Sequence, residues 1–112
     1  NIEDPIVRDM VEYLSDLLGA DFYPEGFKLY QNYPNPFNPI TTIEFDISIG
    51  SEAQISIYNV NGNMVHEYDF GYLNPGLYDY TFDASDLTSG VYIYSVTTLS
   101  GHASQKQMIL IK

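Results

Sequence analysis

Tyr33-Pro34-Asn35-Pro36-Phe37-Asn38-Pro39 is the stretch on which the reading of this chain turns. Proline fixes its own φ, biases the residue before it toward extended geometry and has no N–H to give to a ladder. Three prolines alternating with Asn and Phe therefore cannot lie inside a central strand. The segment reads as an ordered crossover between paired elements. Phe37, with Tyr33 at the other end, is placed to pin it to a core. Asn35 and Asn38 are placed to hydrogen-bond backbone groups that sheet pairing leaves over.

Downstream of the crossover the hydrophobic period is two. Thr42 to Ile49 alternates cleanly, with Ile43, Phe45, Ile47 and Ile49 on one face and Thr42, Glu44, Asp46 and Ser48 on the other. Ala53 to Val60 puts Ala53, Ile55 and Ile57 inward, and Asn61-Gly62 supplies the φ > 0 residues of a tight hairpin into Met64 to Phe70. Asn74-Pro75-Gly76 turns the chain into Leu77 to Phe82, where Tyr78, Tyr80 and Phe82 share a face. Asp83 to Ser89 is a turn, and Gly90 opens the strand Val91 to Thr98. That strand has Val91 and Ile93 on one side and Tyr92, Tyr94 and Val96 on the other, so it is either covered on both sides or displays its tyrosines. Ser100-Gly101 leads into a last strand, Ala103 to Ile111, whose Met108, Ile109, Leu110 and Ile111 are apolar without alternation and leave its inward face open.

Upstream, the period is helical. Asp4 caps, Pro5 suits the first helical position, Gly19 suits the left-handed stop, and Ile6, Val7, Met10, Val11, Leu14, Leu17 and Leu18 form a stripe from Pro5 to Leu18. Residues 1–19 are thus read as a helix that either covers the domain or belongs to whatever precedes it, residues 20–26 as a linker, and residues 27–112 as the domain proper. The turn signals recur at the spacing of an all-β sandwich. The fold class is mainly β: an Ig-like antiparallel β-sandwich of about seven strands with one N-terminal amphipathic helix.

Composition narrows the function classes. The chain has 112 residues, room for one core and no more. It has no Cys, so neither disulfides nor thiolate metal sites hold it together. A formal net charge of −11, with only Arg8, Lys28, Lys106 and Lys112 as cations, argues against nucleic acid and against anionic membranes. No apolar run reaches the length of a membrane span, so no membrane insertion is expected. The N-terminus lacks the pattern of a signal peptide, so an exported protein with this sequence would be a fragment of a longer precursor.

Catalysis finds no constellation. His66 and His102 are the only histidines, no Gly-x-Ser-x-Gly elbow occurs, and carboxylate pairs such as Glu67 with Asp69 or Asp79 with Asp83 are what a solvated strand shows. Asn59, Asn61, Asn63, Asp83, Ser85 and Asp86 are oxygen donors suited to calcium, but EF-hand spacing is absent and turn capping accounts for them. No metal, no cofactor and no catalytic residue are assigned. Tyr58, Tyr68, Tyr72, Tyr92 and Tyr94 are candidates for an aromatic binding platform, although tyrosine is also a preferred strand residue.

The segment Leu29-Tyr30-Gln31-Asn32 leading into Tyr33 to Pro39 resembles the opening of the type A C-terminal sorting domains carried by cargo of the type IX secretion system. Later landmarks keep order and spacing from about Phe27 onward: Ile57-Tyr58-Asn59, Gly62 with Val65, Gly76, Leu87 with Ser89-Gly90-Val91-Tyr92, then Lys106 leading into Met108-Ile109-Leu110-Ile111-Lys112. Any one landmark is common turn chemistry; the proline segment in their company is specific. The first two dozen residues match no part of the pattern.

The resemblance implies a non-catalytic export signal at the C-terminus of a larger secreted protein. The carrier would cross the periplasm of a Gram-negative bacterium, be recognised at an outer-membrane translocon, and meet a cell-surface sortase that removes the domain and joins the cargo to lipopolysaccharide. Pro34, Asn35, Pro36, Phe37, Asn38 and Pro39 are then the fold-defining crossover. Gly90, Val91 and Tyr92, with Lys106, Met108, Ile109, Leu110, Ile111 and Lys112 on a projecting last strand, are the candidates for the element that the machinery reads. Cleavage would fall between Ala20 and Lys28, where Phe22, Tyr23 and Phe27 depart from the expected polar linker. A monomer is favoured. A structural or adhesive surface module that assembles through strand or helix contacts is the alternative, and carbohydrate binding through tyrosines a third reading.

Overall fold

The computed structural model describes residues 27–99 and 103–112, so the helix and linker expected upstream, the Ser100-Gly101 turn and His102 lie outside the described residues. Seven strands run in order: β1 (Phe27–Leu29), β2 (Ile40–Ile47), β3 (Ser51–Tyr58), β4 (Met64–Leu73), β5 (Gly76–Asp83), β6 (Gly90–Thr98) and β7 (Ala103–Leu110). They form two antiparallel sheets, β1-β2-β5 and β4-β3-β6-β7. Inward alternation builds the core between them. Ile43, Phe45 and Ile47 of β2 face Ala53, Ile55 and Ile57 of β3, with Tyr94, Val96, Met108 and Leu110 beside them, all essentially buried.

Two expected strand limits move. β2 stops at Ile47, and Ile49 is 62% exposed in the bend ahead of β3, so the fourth member of the Ile43 series is not core. The chain must leave the three-stranded sheet within a few residues to start β3 in the other one, and a further extended turn would carry it past its partner. At the 59–63 hairpin only Gly62 has positive φ, at 82°; Asn61 does not. The Gly62 N–H reaches Asn59 O, and the Asn59 N–H reaches Asn63 O. Both Asn61 and Asn63 donate their N–H to Asn59 Oδ1. This is the three-residue loop that closes on a left-handed glycine, rather than the two-residue turn.

β4 carries two register breaks against β3. Val65 and Phe70 are the extra residues, the second beside Gly71 at φ 69°, whose N–H is held by Asp69 Oδ1. Each bulge turns an additional apolar side chain toward the interior, where Phe70 meets Phe45 edge-on at 5.1 Å. Bulges also spoil an edge strand as a template for another chain.

The tyrosines of β6 face the core, not the solvent. Tyr92 is 5% exposed and Tyr94 fully buried, while Val91 and Ile93 take the outer side. β7 alternates after all: Met108 and Leu110 are buried, and Gln107, Ile109 and Ile111 are exposed.

Candidate recognition surface

The crossover is held by a buried polar network. The Asn32 N–H donates to Tyr94 Oη at 2.8 Å, and the Tyr94 hydroxyl donates to Tyr30 O at 2.8 Å. The Asn32 side-chain amide donates to Thr41 Oγ1 and Pro34 O, and the Thr41 hydroxyl donates to Pro34 O. Asn32 and Thr41 are 2% and 1% exposed, so the loop is stitched to β6 and β2 from within. Burial pushes the Tyr94 hydroxyl up to about 12 from 10.0, against a smaller opposing effect of the Asn32 N–H.

The same loop covers the outer edge of β7. Phe37, itself 3% exposed, donates its N–H to Ile109 O and accepts from the Ile111 N–H, forming a short parallel bridge. Asn35 Oδ1 accepts the Ile109 N–H at 2.9 Å, and the Gln31 amide donates to Gln107 O. The last strand is therefore integral to the sheet and edged by the crossover, which replaces the projecting strand expected from sequence. Tyr33 does not pin the loop: its side chain is 81% exposed, and only its backbone pairs, with Thr42. Asn38, Pro34 and Pro36 are exposed and Pro39 is half-buried. The bonds preceding the three prolines are cis.

At the far end of β7 the terminal residues meet the loop between β5 and β6. The Lys112 N–H donates to Ser89 Oγ, and its ammonium donates to Ser85 O. Hydrogen bonds from the Ser85 hydroxyl and then the Ser85 N–H hold the Asp83 carboxyl below its ordinary 3.8, with the Lys112 charge acting the same way. Asp83 contributes to the loop above that ordinary value, and the contribution is lost as pH falls through the lower folded one. Ser85→Ala is expected to raise the Asp83 midpoint toward 3.8, as read by carboxyl-carbon NMR shifts against pH. An unchanged midpoint would show that the serine does not set it.

An open cleft of about 370 Å³ lies beside this junction, lined by Asn59 to Asn61, Val65 and Asp86 to Tyr92. Of the sequence-selected residues, Gly90, Val91, Ile109, Ile111 and Lys112 are exposed here, Lys106 is half-buried opposite Tyr94, and Tyr92, Met108 and Leu110 point into the core. A partner can touch the first group; the last group supports it from beneath. Asn32, Thr41 and the role of Tyr94 were not legible in advance. The one available signal was parity, since Thr41 precedes Ile43 by two and so shares its inward face.

Other candidate chemistry disperses. His66 Nε2 lies 2.6 Å from the Tyr80 hydroxyl and its ring packs against Phe82, half-buried on the flank between β4 and β5. Asn59 and Asp83 spend side-chain oxygens on local turns. Among the described residues no three His, Cys, Asp or Glu side chains gather to hold a metal. With Tyr92 and Tyr94 inside, the five-tyrosine platform does not form.

A seven-stranded, Ig-like sandwich whose distinctive chemistry is hydrogen bonding of a crossover and a terminus defines a recognition module. The match to a family model, Secretion system C-terminal sorting domain, spans residues 31–112, and the chain belongs to that family. It is a C-terminal sorting signal for type IX secretion, a non-catalytic role, and the protein that bears it is secreted or surface-attached. Among solved structures, dimeric latent PorU from Porphyromonas gingivalis is 18% identical with a TM-score of 0.62, covering 76% of this chain and 9% of its own. PorZ, an essential surface component of the type IX secretion system of the same organism, is 20% identical at TM-score 0.55, covering 88% and 12%. The chain thus spans about a tenth of either protein. A DUF3244 family protein with an immunoglobulin-like sandwich from Bacteroides vulgatus is 14% identical at TM-score 0.50, covering 74% of this chain and 97% of its own. No curated protein matches the chain.

Proposed function

We propose that the export machinery reads this domain as a folded shape, and that the reading surface is the end of the sandwich where Gly90, Val91, Ile109, Ile111 and Lys112 stand around the cleft. The observation that carries the reading is the tethering of Lys112 to the β5–β6 loop, which fixes exposed apolar side chains beside a cation in a chain otherwise rich in carboxylates. The domain brings its carrier through the periplasm to an outer-membrane translocon. A cell-surface sortase then severs it and joins the cargo to lipopolysaccharide. The domain does no bond-making itself. It works as a monomer, because its four-stranded sheet offers no clean edge: the crossover occupies the C-terminal half of β7, and bulges break β4. Strand addition between copies, the basis of an adhesive module, is thereby disfavoured.

Removing Lys106 to Lys112 would also remove Met108 and Leu110 from the core, so surface substitutions make the sharper test. In a host with the type IX machinery, a periplasmic reporter fused ahead of the chain should reach the surface. Val91→Glu with Ile109→Glu should cut delivery roughly tenfold, about 1.4 kcal/mol of recognition. The charge reversal Glu44→Lys with Asp79→Lys, on the other sheet, should leave delivery intact. Equal loss from both pairs, at equal thermal stability, would place recognition elsewhere.

A further inference from the structure

The two outer faces of the sandwich differ in charge. On the β1-β2-β5 sheet, Glu44 and Asp79 stand directly opposite one another in register, with Asp46 and Asp83 on the same face. On the β4-β3-β6-β7 sheet, carboxylates are confined to Glu52 at the start of β3 and to Glu67 and Asp69 on the β4 edge. Across the rest of that face run Gln54, Tyr58, Val91, Ile93, Gln107 and Ile109, uncharged throughout. Register brings Tyr58 beside Ile93, and Val91 beside Ile109.

The chain holds one segment that needs such a surface. The stripe from Ile6 to Leu18 is apolar, and Asp4, Asp9, Glu12 and Asp16 interleave it on the other side. Laid on the β1-β2-β5 face, the stripe would strip water from carboxylates, at a cost that an apolar contact cannot return. The uncharged face carries no such penalty. Reach is sufficient. β1 begins at Phe27 and lies against β7, the rim of the uncharged sheet. Residues 19–26 can extend to about 28 Å, whereas stepping around one edge to a layer outside the far sheet needs about 20 Å. A helix over residues 5–18 is about 21 Å long, comparable with the strands beneath it.

We propose that residues 5–18 dock as a helix on the outer face of the β4-β3-β6-β7 sheet, laying the Ile6 to Leu18 stripe across Tyr58, Val91, Ile93 and Ile109. The folded unit then starts at Pro5, and scission that frees the whole domain falls ahead of Pro5 rather than between Ala20 and Lys28. The docking is independent of the export reading, because the test below reads only the fold.

The chain has no native cysteine, so paired cysteines report proximity without interference. In the full chain, Leu14→Cys with Ile93→Cys is compared with Leu14→Cys with Glu44→Cys, using a short bismaleimide at micromolar protein. The first pair is expected to cross-link within one molecule at least about tenfold faster than the second, as effective concentration dictates. Equal rates, a preference for Glu44→Cys, or products only between molecules would overturn the proposal; the last would make the occupant a second copy. Because a cysteine pair can disturb folding, methyl NOEs in the unaltered chain supply a second readout. Contacts from Leu14 or Leu17 to Ile93 are expected, and their absence in a well-dispersed spectrum would equally overturn it.

Discussion

Phe37→Ala is expected to lower stability by about 3–5 kcal/mol, the usual cost of emptying a buried aromatic site. Against a total on the order of 5–15 kcal/mol for a domain of this kind, that is a third or more of what holds the fold. The effect exceeds the cavity alone because of where the side chain sits. Phe37 anchors the only segment seen to pair with the outer edge of β7 among the described residues, through the Ile109 carbonyl and the Ile111 N–H. Loosening it frees an edge strand whose exposed side chains, Ile109 and Ile111, are apolar. Thermal unfolding should shift down by well over 10 °C, and hydrogen exchange at Ile109 and Ile111 should accelerate more than at the β3 core. Asn35→Ala separates the two effects, since Asn35 is exposed and gives β7 a single acceptor. It should speed exchange at Ile109 while leaving the melting temperature nearly unchanged. If Phe37→Ala melts like the parent, the crossover is a passenger on a sandwich that stands without it.

How much of this was readable beforehand depends on whether a residue's partner is near in sequence. The alternation of Ile43, Phe45 and Ile47 is local, and so is the glycine demand of the 59–63 hairpin. Both follow from period and turn chemistry. The inward tyrosines of β6 do not. Their hydroxyls can be buried only because Tyr94 finds Tyr30 O and the Asn32 N–H, more than sixty positions away, and Tyr92 finds Thr88 O. Nothing near Tyr94 in sequence announces those partners, and without them parity alone made the face look like one to be displayed. The β7 run failed for the opposite reason. Met108 to Ile111 is apolar on both sides, because Ile109 and Ile111 are outside while Met108 and Leu110 are inside. Only pairing with β6, Tyr92 to Met108 and Tyr94 to Lys106, sets which is which. The site was legible in the same uneven way. The exposed residues around Lys112 lie on a motif that could be quoted from sequence, but their gathering at one end depends on the β5–β6 loop returning to the terminus.

Tyr94→Phe tests the buried network in a way that shape does not confound, because the ring stays and only the hydroxyl goes. Two groups lose their partner: the N–H of Asn32, a residue almost wholly buried, and the carbonyl of half-buried Tyr30. A buried polar group left unpaired costs about 1–3 kcal/mol, so a loss of about 2–4 kcal/mol is expected near neutral pH. The pH dependence supplies the distinguishing sign. The neutral form of Tyr94 is the one the fold favours, since its folded value is pushed up to about 12 from 10.0. Its contribution is complete below pH 10 and is lost as pH rises from 10 through 12. Two units amount to roughly 2–3 kcal/mol, so the gap between parent and Tyr94→Phe should narrow over that window. Tyr80, whose value burial also raises, is present in both proteins and cancels from the difference. Urea unfolding at closely spaced pH values measures that gap directly. A gap that stays constant through the window would mean that the Tyr94 hydroxyl is not held in a dry, hydrogen-bonded site, and that the crossover is fastened to the sandwich by its apolar contacts alone.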